Sequence, residues 1–276
     1  MNRFSKIYNK IFDFTLEKIT PLKFSHLINT TKKISNPSMI KLSTSHLYKE
    51  MPIRFAHRIK DLNMFPYGLN HNHNVSIIRD WYLTSFEELV SKPEPKTQQE
   101  IEQFKSQIEK IYLRHSPTIL TLTRGLFELK ESGHITEIDD KRIQIFLDKF
   151  HSSRTEIRIL IEHYLSLFTP NTNSANIYGI INYNTNINEI LNKVILNINL
   201  ICERTNYPIN LENIVKIDGN GIIPIIDNYL YYILFELVKN STQAVISSNK
   251  KEKIIQIGIR DLDDYIYIKI RDNGIV

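Results

Sequence analysis

The sequence predicts an α + α/β protein: an antiparallel four-helix bundle over residues 42–170, then a mixed α/β domain over residues 171–276. Three observations carry this. Apolar residues recur at spacings of three and four through most of the first part, which is the helical period. The stretch TPNTNSAN, residues 169–176, is small and polar around Pro170 and reads as a domain boundary. Beyond it Ile255, Ile257 and Ile259 alternate, and so do Ile266, Ile268 and Ile270, which is the period of strands with one covered face.

Each element has its own signal. Residues 1–41 have poor periodicity and end in NTTKKISNPS, a polar linker. A first helix is expected with Pro52 at its opening position and Ile53, Ala56 and Ile59 on one face. The second runs from Val75 to Val90 with Ile78, Trp81, Ser85 and Leu89 in register, and SKPEPK stops it. A third, from Ile101 to about Lys130, carries Phe104, Ile108, Ile111, Ile119, Leu122, Leu126 and Leu129, and Pro117 inside it predicts a kink. The fourth opens at TEID, a capping pattern, and turns Ile143, Phe146, Phe150, Ile157, Ile161, Tyr164 and Phe168 inward. Four such helices make a bundle. In the second part IYGIINYN reads as a short strand, followed by a helix capped by Asn186 with Glu189 three residues on. The pieces INLENIVKI and GIIPII read as strands, then comes a helix from about Asp227 to Ser247, and a strand pair with its turn at DLDD closes the chain.

Composition removes several functions. The net charge of +5 is an amino-terminal property, because residues 1–60 hold 12 Lys and Arg against 3 Asp and Glu, leaving the rest of the chain net negative. Nucleic-acid binding needs basic residues gathered on a folded face, and that pattern is missing. Cys202, the one cysteine, excludes an internal disulfide framework and a multi-cysteine zinc site. No apolar run reaches the ~18 residues of a transmembrane helix without an ionisable residue. Arg3, Lys6 and Lys10, with apolar residues between them, are compatible with an amphipathic import leader and equally with a basic tail.

The helix over LYYILFELVKNSTQAVI carries an anomaly. Leu230, Ile233, Leu234, Leu237, Ala244 and Val245 are its expected buried stripe, with Glu236, Asn240 and Gln243 in an adjacent polar row. A carboxylate one turn before a carboxamide can orient a hydroxyl with the first group and offer an oxygen ligand to Mg²⁺ with the second, the remaining ligands being water and phosphate. The closing strand ends in Asp272-Asn273-Gly274, where a carboxylate can accept from an exocyclic amine and a glycine lets backbone pass near a flat ring. His115 and Arg154 sit on apolar stripes, where an unpaired charge is costly; an acidic partner or a bound carboxylate would each compensate.

The ordered pair, E-x-x-K-N on a helix and then strand-D-x-G, resembles the ATP site of the GHKL (Bergerat-type) proteins, which include sensor histidine kinases, gyrase and heat-shock chaperone ATPases. The segments LYKEMPIRFAHRIKDLNMFPYGL, IYLRHSPTILTLTRGLFELKES and IQIFLDKFHSSRTEIRILIEHYLSLF resemble the helical domain of the mitochondrial protein kinases, the pyruvate and branched-chain 2-oxoacid dehydrogenase kinases. The resemblance implies a mitochondrial-matrix serine kinase using ATP and Mg²⁺ on the E1 alpha subunit of a dehydrogenase complex. It implies docking on the lipoyl domain of the E2 core, inhibition by a 2-oxoacid effector, and pairing as a homodimer. By position, Glu236 would be the base, Asn240 the Mg²⁺ ligand, Lys239, Gln243 and Gly274 would line the nucleotide, and Asp272 would read adenine. Tyr82, Ser85, His115, Arg154 and Arg158 would form the carboxylate pocket.

The chain departs from that pattern in places. Tyr232 stands where pyruvate dehydrogenase kinases carry histidine, and Gln243 replaces an expected arginine. The family continues past a residue equivalent to Val276 with a lid and a second glycine-rich loop, so these 276 residues alone are expected to bind ATP weakly and to be silent. Two alternatives stay open: a sensor histidine kinase using RHSPTI, and a non-catalytic docking protein for a lipoyl-bearing carrier. Ordinary protein-kinase motifs are absent.

Overall fold

The computed structural model describes residues 3–23, 27, 36–65, 68–131, 137–169, 176–205, 209–262 and 265–274. The chain divides into two compact units, Met1–Pro170 and Asn171–Val276. The first is helical and the second combines helices with two small sheets, which makes the chain α + β. Most of the 169–176 boundary stretch lies outside the described residues, as does Thr136 of the TEID cap. Among the described residues no helix is long and apolar enough to cross a membrane.

Helix α1 (Arg3–Leu16) buries Ile11 and sets Phe14 edge-on to Phe86, with ring centroids 5.4 Å apart. The basic start of the chain is therefore a packed helix in its described part. Helix α2 (Asn36–Asn63) begins before the expected linker has ended and holds Pro52 in its interior, not at its opening. An interior proline costs about 3 kcal/mol. Met51, Phe55, Ala56, Ile59 and Leu62 are all fully buried around it, and each large apolar side chain contributes about 1.5–3 kcal/mol. Burial outweighs the missing amide.

A short 3-10 turn (Leu69–His71) leads into α3 (His73–Val90), capped by Asn72, whose Oδ1 accepts from the amides of Asn74 and Val75. Helix α4 (Gln98–Arg114) opens with a reciprocal capping box between Thr97 and Glu100. The long third helix expected from the spacing is in fact two, because α4 stops at Arg114 and α5 (Thr118–Glu131) starts after Pro117. Pro117 has no amide hydrogen and its ring crowds the carbonyl four residues back. The chain turns through Ser116 N to Leu113 O at 3.1 Å and Thr118 N to His115 O at 3.3 Å. Helix α6 (Glu137–Ser166) follows and buries Ile143, Phe150, Ile157, Ile161 and Tyr164. These join Phe55, Tyr82, Phe86 and Ile108 in one core.

In the second unit β1 (Ile177–Tyr178) and β2 (Ile181–Asn186) form a hairpin, and β2 pairs antiparallel with β4 (Ile222–Ile225). Helix α7 (Ile187–Arg204) is capped by Asn186 as its sequence requires. The first half of INLENIVKI is a helical turn, α8 (Leu211–Ile214), not a strand, because the Asn210 side chain caps it by accepting from Glu212 N at 2.9 Å. Strand β3 (Val215–Asp218) then runs parallel to β5 (Ile255–Leu262), which pairs antiparallel with β6 (Tyr265–Asp272). The DLDD turn falls partly outside the described residues. The register sets Ile257 opposite Ile270 and Ile259 opposite Ile268. This puts the predicted isoleucines on the face covered by α7 and by α9 (Asp227–Ile246).

The buried stripe of α9 differs from the expected one. Leu230, Leu234, Val238, Ser241, Thr242 and Val245 face the core, while Ile233 and Leu237 remain 53% and 49% exposed. The small polar residues take the inward positions because Thr242 Oγ1 donates to Val238 O at 2.7 Å and needs no other partner.

Candidate functional site

Two features fix α9 in place. At its start the Asp227 carboxylate accepts from Thr185 Oγ1 and, at 2.9 Å, from Asn182 Nδ2, tying the helix to β2. Near its end Gly274 lies against Ala244 so closely that a Cβ on the glycine would stand 2.4 Å from the Ala244 carbonyl carbon. The Asp272-Asn273-Gly274 turn is closed by Gly274 N donating to Asp272 Oδ1 at 3.0 Å. Asn273 holds it down by exchanging bonds with Ile254 N and O and by donating to Glu252 O. The structure thus packs the D-x-G turn directly on the helix that carries the E-x-x-K-N row. On that helix Glu236 and Lys239 form an ion pair at 2.6 Å, each about one third exposed, and Asn240 and Gln243 face solvent, as does Asp272. A carboxylate and a carboxamide offer hard oxygen donors of the kind Mg²⁺ takes, and an ammonium can face a phosphate.

The second site is in the helical unit. His115, at the break between α4 and α5, is buried against the Tyr82 ring at 4.3 Å and the Phe55 ring at 5.4 Å between centroids. Its Nε2 lies 3.0 Å from Ser85 Oγ, and its Nδ1 is buried without a hydrogen-bond partner. Arg154 Nη2 donates to the His115 carbonyl at 3.3 Å. Burial, reinforced by Arg114 and Arg154, pushes the imidazole down to about 3, so it is neutral. Burial pushes the Tyr82 hydroxyl up to about 12, against the opposing pull of Arg58 and Arg154. Four of the five residues assigned to this pocket therefore meet around one imidazole. The fifth, Arg158, turns to Glu162 at 3.1 Å and stacks on the Tyr112 ring at 4.2 Å.

Sequence reasoning missed several residues here. Arg114 donates to Ser85 Oγ and makes a two-bond pair with Glu88, yet its place beside His115 gave no periodic signal. Arg54 and Arg58 are 1% and 2% exposed. Arg54 bridges Glu156 and Glu50 and donates to Thr20 O, whereas Arg58 pairs with Asp61 at 2.6 Å while its Nε and Nη1 stay unpartnered. Their spacing of four, in step with Met51, Phe55 and Leu62, marked them as inward-facing. The same unit holds a cavity of about 340 Å³ among Leu22, Leu27, Met39, Leu47 and Leu160. His163 stands in its wall with an unpartnered Nδ1 and is driven down to about 4 by burial.

Sequence comparison fits this geometry. A family model described as mitochondrial branched-chain alpha-ketoacid dehydrogenase kinase matches residues 21–182. Three relatives are a mitochondrial [pyruvate dehydrogenase (acetyl-transferring)] kinase of Arabidopsis thaliana, its namesake in Drosophila melanogaster, and isozyme 1 of Homo sapiens. They are 31%, 29% and 27% identical over 84%, 85% and 85% of this chain, which covers 64%, 60% and 57% of theirs. The chain therefore spans about three fifths of the length of these curated relatives. All three carry the names of kinases that act on a mitochondrial dehydrogenase. The chain belongs to the mitochondrial branched-chain alpha-ketoacid dehydrogenase kinase family.

Proposed function

We propose that this protein is a mitochondrial-matrix serine kinase that uses Mg²⁺ and ATP to phosphorylate the E1 alpha subunit of a 2-oxoacid dehydrogenase complex. The observation that carries the reading is the seating of Gly274 on Ala244, which joins the D-x-G turn to the helix of Glu236, Lys239 and Asn240. Phosphoryl transfer asks little covalent chemistry of the protein; alignment and charge stabilisation supply most of the rate. In this reading Glu236 draws the proton from the incoming serine hydroxyl, and the Lys239 ammonium, 2.6 Å away, orients it. The Asn240 carboxamide oxygen is the candidate Mg²⁺ ligand, Gln243 lies along the nucleotide, Asp272 accepts from the adenine amine, and Gly274 lines the nucleotide through the turn that its missing side chain lets sit on Ala244. The second unit is then the GHKL half of such a kinase, and α2 to α6 of the first are its four-helix bundle, with α4 and α5 the two halves of one member broken at Pro117.

Three regulatory assignments accompany this. The His115–Arg154 cluster takes the carboxylate of a 2-oxoacid effector, with Tyr82 and Ser85 as walls and Arg158 one turn along. The 340 Å³ apolar cavity takes the lipoyl arm of the E2 core. The outer face of β5 and β6, with Tyr265 and Tyr267 more than half exposed, pairs two copies. The test is phosphorylation of purified E1 alpha by the protein isolated from the cells that make it, with Mg-ATP, and by its Asn240→Ala form. Serine phosphorylation lost in the variant supports the reading; none with the native protein, or undiminished transfer in the variant, overturns it.

A further inference from the structure

We infer that Glu88, Arg114 and Ser85 form a relay that fixes the single proton of His115 on Nδ1, so that the buried imidazole meets a carboxylate as a hydrogen-bond donor. The inference rests on the reading of the His115–Arg154 cluster as a carboxylate site and adds its positioning residues.

The argument follows the donors inward. Glu88 accepts from Arg114 Nη2 at 2.7 Å and from Nη1 at 3.0 Å, and this two-bond contact fixes the plane of the guanidinium. Nη1 also reaches Ser85 Oγ at 2.8 Å. A guanidinium has donors only. Ser85 Oγ must therefore accept from Arg114, and its remaining neighbour is His115 Nε2 at 3.0 Å. Had Nε2 carried the proton, the serine oxygen would face two donors and its own hydroxyl hydrogen would be stranded, since Ser85 is fully buried. A stranded buried donor costs about 1–3 kcal/mol. With the serine hydroxyl donating to a bare Nε2 only the Nδ1 hydrogen lacks a partner, whereas a proton on Nε2 leaves both the hydroxyl hydrogen and the Nδ1 lone pair without one.

The consequence falls on the other ring nitrogen. The imidazole is neutral, so its one proton is on Nδ1, the atom that is buried and unpartnered. That orphan is a donor, and an acceptor oxygen is what completes it. Arg154, anchored on the carbonyl of the same residue, places its guanidinium within electrostatic reach of the ring. The Arg114 charge is already matched by Glu88, so the relay supplies orientation and tautomer without adding net charge to the pocket.

The experiment is NMR of the full chain carrying ¹⁵N-imidazole histidine, with the His115 signals assigned by His115→Gln, alongside calorimetric titration with pyruvate and 4-methyl-2-oxopentanoate. A protonated Nδ1 and bare Nε2 between pH 6 and 8 support the relay. Ser85→Ala then shifts the proton toward Nε2 and weakens 2-oxoacid binding about tenfold or more, and Ser85→Thr restores both. A wild-type His115 protonated on Nε2 overturns the relay, whichever acid binds and whether or not the alanine variant folds. The Nδ1 tautomer with no binding of either acid supports the relay and overturns the carboxylate reading of the site.

Discussion

Gly274 and Ala244 touch through atoms that leave no room for a methyl group, with Cβ positions on the glycine falling 2.4–2.6 Å from the alanine's carbonyl carbon, carbonyl oxygen and Cβ. The obstacle is largely backbone, which cannot swing aside as a flexible side chain does.

Gly274→Ala is therefore expected to push the turn away from α9 and to cost about 1–3 kcal/mol. Urea unfolding measures that loss. Binding of a non-hydrolysable ATP analogue in the same variant should fall further than stability does, because Asp272 and the helix edge separate. A variant with unchanged midpoint and unchanged nucleotide affinity contradicts the close seating.

Glu236→Gln keeps the shape of the base and removes its proton affinity. In the protein isolated from the cells that make it, transfer to E1 alpha should drop by a factor of about 10²–10⁴ in kcat, with ATP-analogue binding held within about twofold. Loss of both together assigns Glu236 to binding instead.

Arg54→Ala removes the guanidinium that faces both Glu50 and Glu156 and that holds the Thr20 carbonyl. Stranding a buried carboxylate costs about 3–5 kcal/mol. Adding Glu50→Gln to the variant should recover part of the loss, and denaturant titration of the single and double variants reads the difference.

Stability should fall in acid, with two buried histidines contributing to the slope. His163 titrates near 4 and His115 near 3 in the folded protein, both lowered from 6.5 by burial. The unfolded chain therefore takes up protons first as pH falls. Their stabilising contribution is complete above about pH 6.5 and is lost progressively toward pH 4, at about 1.4 kcal/mol per pH unit for each residue. Unfolding free energies from pH 7 to pH 4 measure this, and His163→Gln should remove its share of that slope.

The strands and caps of the second unit were legible because their signals are local. Asn186 caps α7 from one residue away, and Ile255, Ile257 and Ile259 need only a covered face. The prolines were harder because the same residue breaks or is tolerated according to distant packing. Pro52 sits within a densely buried helix that begins sixteen residues earlier, whereas Pro117 has the exposed Leu113 and Leu120 on either side. On α9 leucine content suggested the inward face, but Ser241 and Thr242 occupy it, since a hydroxyl that bonds its own helix can be buried. Of the candidate sites, the E-x-x-K-N row was readable as spacing. The partnership of Glu88 with Ser85 through Arg114 joins α3 to the end of α4, and no sequence period reports a contact between helices.

The interruption at Pro117 leaves its mark on a single oxygen. In a continuous helix the carbonyl of His115 would be committed to the amide of residue 119; here Thr118 Oγ1 reaches it at 2.8 Å and the Arg154 guanidinium at 3.3 Å. That oxygen also accepts from the Thr118 amide at 3.3 Å, so α5 and α6 meet the end of α4 on one main-chain acceptor.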